Sequence, residues 1–407
     1  MLVCGAIAPA RAAGGDPFAN QQYGPDQIGA PAAWAKSTGR GVKVAVIDSG
    51  VDLHHPDLQQ NLDLADSYDF ACNDPDPDDD STVPDGNGDQ VKGHGTHVTG
   101  IIAATTGNGI GIEAVAPDVT VMVEKVFATD NSCGTLTGSL NVVPKAINYA
   151  VAHGAKVINL SLSEFLGSGI VGTVSTPCNN AFAKGAVCVI AAGNSGQSTA
   201  SGYDHNINAV LATANDASGS HASFAQPADT KWGVSAPGVH VLSTWPVGPD
   251  GPHGYAFADG TSMAAPHVTG ALALLIAAGM SVSQAVNTLL ATAGPTSNAS
   301  LEGAGRIHVA AALGVTGLAH ATGTPPPTRA GAVSRTSSST SSSNPTLTAP
   351  STTTGAAPAA LADGASSAAT TPRQSRHTAS PAGPLAGAAA VVVVVAAAVV
   401  AARRRGP

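Results

Sequence analysis

Four short segments carry residues whose types suit acyl-transfer chemistry. Val44-Ala45-Val46-Ile47-Asp48-Ser49-Gly50 places a carboxylate at the end of an apolar run. Gly93-His94-Gly95-Thr96-His97-Val98 opens a helical stretch with a histidine. Val189-Ile190-Ala191-Ala192-Gly193-Asn194-Ser195 ends another apolar run in an amide. Gly260-Thr261-Ser262-Met263-Ala264-Ala265-Pro266-His267 sets a hydroxyl ahead of the apolar helix Val268 to Ala278. Taken singly, each has a plain structural reading. Asp48 and Asn194 could form turns, and Ser262 could be an N-cap. His94 and His97 have neither a third ligand nor a His-Glu-x-x-His pattern to make them a zinc site. Together they supply what cleavage of a peptide bond requires: a nucleophile (Ser262), its base (His94), a carboxylate to orient that base (Asp48) and a donor for the developing oxyanion (Asn194).

These groups need a scaffold that brings distant segments together at one edge. Val42 to Ile47, Thr120 to Phe127, Lys156 to Ser161 and Ala186 to Ala191 read as buried strands, their apolar runs continuous rather than alternating. His94 to Ala104, Leu140 to His153 and Pro177 to Lys184 read as helices between them. That alternation predicts an α/β fold, a mainly parallel sheet flanked by helices on both faces. Ligands of such sheets bind beyond the carboxyl ends of the strands, where Asp48 and Asn194 fall.

The order Asp, His, Ser is one of three known orders of this triad, and the Gly-x-Ser-x-Gly elbow is absent because Ala264 stands two residues after Ser262. With these motifs, and with Tyr23-Gly24-Pro25 and Gly303-Ala304-Gly305-Arg306-Ile307, the chain from about Asp16 to Leu313 resembles the subtilisin-like serine proteases, the thermitase branch most closely. The resemblance implies a serine endopeptidase in which Asp48 orients His94, His94 is the general base and Ser262 attacks, with Asn194 and the Ser262 N–H forming the oxyanion hole. It makes His97 and His267 structural. It places a protein or peptide substrate, bound by strand addition, against Ser132-Cys133-Gly134, Ser161-Leu162-Ser163 and Gly193; relatives usually read Ser-Leu-Gly where this chain has Ser163. It also implies structural calcium. Asp57 would anchor one site with Asn108, the carbonyls of Thr106, Ile110 and Ile112, and Asp16 from the N-terminal arm. Asp69, Asp74, Asp76 and Asp78 would form a second. Oxygen-only donors with several carboxylates suit a hard cation of that size, and the plain alternative for the second set is a solvated acidic loop.

The 407 residues carry a net charge of −9, with 11% charged residues and no Lys/Arg cluster before Arg403-Arg404-Arg405, which excludes nucleic-acid binding. Residues 1–15 read as a signal-peptide remnant and N-terminal arm. The apolar start closes on Ala10-Arg11-Ala12, but it is short and lacks a basic lead, so a frayed terminus is the alternative. Without Cys4, the four cysteines Cys72, Cys133, Cys178 and Cys188 suit an exported protein. Of the three pairings, Cys72–Cys133 with Cys178–Cys188 is favoured, the latter closing a short segment between a helix and the next strand.

Following the peptidase domain (16–316), residues 317–384 form a Pro/Ser/Thr/Ala-rich spacer that cannot bury enough apolar surface to fold. Leu385 to Ala402 is uncharged, about 27 Å long as a helix, and reads as a transmembrane segment. The arginines after it keep the 403–407 tail cytoplasmic and put the catalytic domain outside a cell membrane crossed once. The expectation is an anchored, monomeric extracellular protease. The layout is similar to that of the mycosins, whose resemblance suggests a processing protease of a secretion system; with no room for a pro-domain ahead of Asp16, either the true start lies upstream or the chain folds unaided, as that resemblance implies. The rival from another class is an inactive surface binding protein on a protease scaffold.

Overall fold

The computed structural model describes residues 15–80, 91–127, 141–162, 169–247, 254–296 and 298–315. Seven strands form one sheet: β1 (Lys43–Asp48), β2 (Tyr68–Asp69), β3 (Thr120–Lys125), β4 (Val157–Leu160), β5 (Val187–Ala191), β6 (Ala209–Asn215) and β7 (Gly233–Pro237). Their order is β2-β3-β1-β4-β5-β6-β7, and every pairing is parallel. A separate antiparallel hairpin joins β8 (Val241–Thr244) and β9 (Tyr255–Ala258).

Alternate strand residues serve opposite cores, which is why the strand sequences are apolar throughout. Val44, Val46, Val121 and Val123 point into one core, and Ala45, Ile47, Met122 and Ile158 into the other. Helices α1 (His94–Ala103), α4 (Thr261–Ala277) and α5 (Val282–Ala291) supply the first core. Helices α2 (Val143–Ala152) and α3 (Gly169–Ala183) supply the second. From Thr261 to Leu275 every residue of α4 is buried. A helix with no solvated face is a core element, and this one underlies β4, β5, β6 and β7.

The four expected strands are present with ends shifted by a residue or two; Asp48 is the last residue of β1 rather than the first of a turn. Helix α3 begins at Gly169, and Pro177 lies inside it instead of opening it. Likewise α4 starts before Ser262, so Ser262 occupies its first turn and Gly260 is the N-cap. Cys178 and Cys188 are joined as expected, fastening α3 to β5. Cys72 is disulfide-bonded, while Cys133 lies outside the described residues. Among the described residues, no helix is long and apolar enough to cross a membrane; residues 317–407, with the expected spacer, span and tail, lie outside them, as do residues 1–14.

Candidate active site

Parallel register sends the carboxyl ends of β1, β4 and β5 to one edge, and the N-termini of α1 and α4 meet them there. Asp48 is wholly buried. Its Oδ1 accepts the Ser49 N–H at 2.8 Å and the His94 Nδ1–H at 2.7 Å. An acceptor-only carboxylate on Nδ1 fixes the neutral imidazole as the Nδ1–H tautomer and makes Nε2 its basic nitrogen. The approach is close because position 95 has no side chain: a Cβ there would stand 2.1 Å from the Gly50 carbonyl oxygen and 3.1 Å from Asp48 Cβ. Any larger residue would drive the histidine away from its carboxylate.

Ser262 is held from the neighbouring strand. Pro266, four residues on, has no N–H, so the Ser262 carbonyl lacks its helical donor. The Ser161 hydroxyl fills that role at 2.9 Å, and the Ser262 hydroxyl in turn donates to the Ser161 carbonyl at 3.2 Å. Ser161 Oγ is itself oriented by Asn159 Nδ2 at 3.0 Å, and Asn159 Oδ1 accepts the Thr269 hydroxyl at 2.9 Å. Asn159, Ser161 and Thr269 are all buried, so these bonds tie β4 to α4 on either side of Ser262.

The Asn194 amide has a defined orientation. Its Oδ1 accepts both the N–H and the hydroxyl of Thr261, each at 3.0 Å, which turns Nδ2 the other way. The Thr261 hydroxyl also accepts the Gly193 N–H at 3.0 Å. Gly260 marks where the donors meet: a Cβ on it would lie 3.4 Å from Asn194 Nδ2 and 3.5 Å from the Ser262 nitrogen. Two N–H donors therefore flank one small space at the start of a seventeen-residue helix, whose positive end favours an anion.

His97 and His267 are structural, as expected. Burial depresses both, His97 to about 3 and His267 to about 4, so both rings are neutral. His97 bonds to the Val241 and Ala256 carbonyls, and His267 to the Met263 carbonyl. Of the expected substrate segments, Ser161 and Leu162 are buried beside Ser262 and Gly193 adjoins Asn194, whereas Ser132, Gly134 and Ser163 lie outside the described residues.

The two expected cation sites differ in how well their residues fit a divalent ion. Asp57 is wholly buried and Asp16 nearly so. Asp57 accepts from Asn108 Nδ2, the Ile112 N–H and the Tyr255 hydroxyl; Asp16 accepts the Gly107 and Gly109 N–H groups. Burial, with a smaller contribution from the Asp16 charge, pushes the Asp57 carboxyl up to about 6. Two adjacent buried carboxylates whose hydrogen-bond donors are all uncharged are a good fit for a hard cation. Thr106, Asn108, Ile110 and Ile112 lie on the loop that surrounds them.

The acidic loop fits less well, because a cationic side chain already lies among its carboxylates. The ammonium of Lys125, 1% exposed, lies among them: 2.8 Å from the Asp78 carbonyl, 2.5 Å from Asp80 and 3.6 Å from Asp69. Asp69 and Asp74 still come together, but Cys72 beside them is committed to a disulfide. Asp76 and Asp78 accept backbone N–H groups of Asp78 and Leu53.

Two groups at this edge escaped the sequence reading. Gln226 clamps the segment after Asn194, accepting the Ser195 N–H and donating to the Ala200 carbonyl at 2.7 Å. Asp79 is buried between the Asp48 and His94 segments, and desolvation, reinforced by the Asp48 charge, pushes it up to about 7. Neither has a sequence signal of its own: Gln226 stands in an ordinary loop, and Asp79 is one of a crowd of acids.

Known proteins similar to this chain fall in one family. Residues 39–323 match the model of the subtilase family. Thermitase from Thermoactinomyces vulgaris is 39% identical over 267 residues, 65% of this chain and 86% of its own. Subtilisin BL from Lederbergia lenta is 36% identical over 293 residues, 71% of this chain and 97% of its own. Among solved structures, fervidolysin from Fervidobacterium pennivorans, a keratinolytic enzyme related to subtilisin, superimposes with a TM-score of 0.62 at 29% identity, covering 76% of this chain and 48% of fervidolysin. With a parallel α/β sheet, an Asp–His contact at its edge and a family match across most of its length, the chain belongs to the subtilase family of serine proteases.

Proposed function

We propose that the chain is an active endopeptidase that cleaves peptide bonds through Asp48, His94 and Ser262. The observation that carries this reading is the place beside Gly260 where Asn194 Nδ2 and the Ser262 N–H come together, with the His94 imidazole oriented by Asp48 at the same edge of the sheet. For attack, the Ser262 hydroxyl leaves the Ser161 carbonyl and gives its proton to His94 Nε2 as Oγ bonds the scissile carbon. The carbonyl oxygen becomes an oxyanion held by the two N–H donors. The imidazolium, stabilised by Asp48, returns the proton to the leaving amine, and the C–N bond breaks. Water then repeats the sequence on the acyl-enzyme, with His94 again as base. A fluorophosphonate probe should label the protein at Ser262 and fail on the Ser262→Ala and His94→Ala variants. Folded wild-type protein that stays unlabelled would instead support a binding protein on a protease scaffold.

Calcium would be held by Asp16 and Asp57 with the loop through Asn108, where it would neutralise buried charge and take no part in the reaction. The acidic loop at Asp69 and Asp74 is the weaker site. The rest of the proposed organisation comes from composition. Residues 16–316 form the peptidase domain and 317–384 a spacer, while 385–402 cross the cell membrane once and 403–407 remain cytoplasmic, leaving a monomeric catalytic domain outside. Protease added to intact cells should release that domain and spare an epitope placed after Pro407; digestion of the epitope would reverse the orientation. Substrate choice in the mycosin manner would be read from the cleavage of a diverse peptide library.

A further inference from the structure

Asp79 holds the Asp48 and His94 segments with a single buried carboxylate. It is 2% exposed. Its Oδ1 accepts the Ser49 hydroxyl at 3.0 Å. Its Oδ2 accepts the Gly93 N–H at 2.9 Å, and the N–H and hydroxyl of Thr96 at 3.3 and 2.6 Å. Ser49 immediately follows Asp48, and its hydroxyl accepts the Gly95 N–H at 2.9 Å. Gly93 and Gly95 are the neighbours of His94. One carboxylate thus reaches the residue after the aspartate and both sides of the histidine, with Ser49 as the bridge.

These bonds matter because the contact they govern is tight and short. The His94–Asp48 bond is 2.7 Å long, and Gly95 packs against Gly50 with no space for a side chain. Sliding of one segment past the other would act directly on that bond. Removing Asp79 would leave two N–H groups and two hydroxyls buried without their acceptor, and the segments would move to satisfy them. A misplacement on the order of 1 Å in a catalytic constellation costs roughly 10²-fold in rate.

We infer that Asp79 is a positioning residue of the catalytic centre, setting the distance and ring orientation between Asp48 and His94 through Ser49, Gly93 and Thr96. This rests on the reading of Asp48, His94 and Ser262 as the triad. The test uses the full chain in detergent, with calcium in excess, and compares Asp79→Ala, Asp79→Asn and Ser49→Ala. Turnover of a peptide substrate, rate of fluorophosphonate labelling, melting temperature and the low-field proton resonance of the His94–Asp48 hydrogen bond are all measured.

Asp79→Ala should lower kcat by roughly 10²-fold with KM within about threefold, slow labelling in proportion, and shift or abolish the low-field proton. Asp79→Asn keeps a carbonyl oxygen for Gly93 and Thr96, and should recover kcat to within about tenfold of wild type. Ser49→Ala, which cuts the bridge alone, should lower kcat by about tenfold and stands as the deciding variant if Asp79→Ala does not fold. A folded Asp79→Ala, or in its absence Ser49→Ala, with wild-type kcat and an unmoved low-field proton would overturn the inference, whatever its melting temperature; so would a change confined to KM. Failure of the triad reading is seen separately, as Ser262→Ala retaining turnover.

Discussion

Replacing Gly260 by alanine tests the proposed oxyanion site directly, because it adds one methyl group at a known place. That carbon would stand 3.4 Å from Asn194 Nδ2, 3.5 Å from the Ser262 nitrogen and 3.6 Å from Met263 Sδ. An oxyanion must sit about 2.7–3.1 Å from its donors, so carbon and oxygen would compete for the same surroundings. The backbone adds a second effect. Gly260 has φ 154° and ψ 158°, a region reached almost solely by glycine, and forcing alanine into it costs on the order of 1–3 kcal/mol. Relief of that strain would rotate the peptide leading to Thr261 and Ser262, which carries one of the two donors. Loss of one donor lowers kcat by roughly 10²–10³-fold. Gly260→Ala should therefore lower kcat by at least about 10²-fold with KM within about threefold. Asn194→Ala should lie in the same range, and the double variant should fall short of the product of the singles because both act on one oxygen. Steady-state kinetics on a chromogenic peptide, with melting temperature as the control for folding, measures all three. A folded Gly260→Ala with kcat within threefold of wild type would refute convergence of the donors beside residue 260.

Ser262→Ala and His94→Ala should each remove nearly all turnover, and the double variant should be scarcely worse, as active-site titration and steady-state rates would show. Glu124 is wholly buried with neither carboxylate oxygen hydrogen-bonded among the described residues, and desolvation raises its carboxyl well above the usual value of 4.5. The unfolded chain releases that proton near 4.5 and the folded one at a higher pH, so stability falls across this window as pH rises, by up to about 1.4 kcal/mol per unit. Melting curves of Glu124→Leu in an inactive Ser262→Ala background should gain most at the alkaline end, and a gain independent of pH would count against the assignment. Chelation should lower the melting temperature by roughly 5–10 °C, corresponding to a ligand at 100 times its dissociation constant, about 2.7 kcal/mol. It should also speed self-cleavage, and Asp57→Ala should abolish the response to the chelator.

The legible parts of this chain were those with strong local physics. β1, β3, β4 and β5 are buried on both faces and built mostly of Val, Ile, Leu, Met and Ala, so their runs stand out. β6 and β7 are equally buried yet include Thr213, Asn215, Gly233, Ser235 and Pro237, a composition that reads as loop. Pro177 and Pro266 misled in a common way. A proline reads as a helix boundary, but here each lies within a helix that tertiary packing sustains. Asp48, His94 and Ser262 stand out because each lies at the end or in the first turn of a regular element, and Asn194 because it follows closely on β5. Asp79 was hidden because its meaning lies in its partners, Ser49, Gly93 and Thr96, and not in its neighbours along the chain. Lys125 shows the reverse: its position in a strand was plain, but its charge among the acidic residues was not.

The proline at 266 has a wider consequence. By withholding one N–H, it leaves the Ser262 carbonyl to be claimed by a different strand, through Ser161. Ser262 is thus addressed in space by β4 as much as by the helix that contains it. A transplanted segment from Gly260 to His267 would carry the recognisable motif and lose the partner that holds it in place. Anyone rebuilding this centre in another scaffold has to move Asn159, Ser161 and Thr269 along with it. The smallest portable unit around Ser262 is a strand paired with a helix, and a sequence motif captures only half of it.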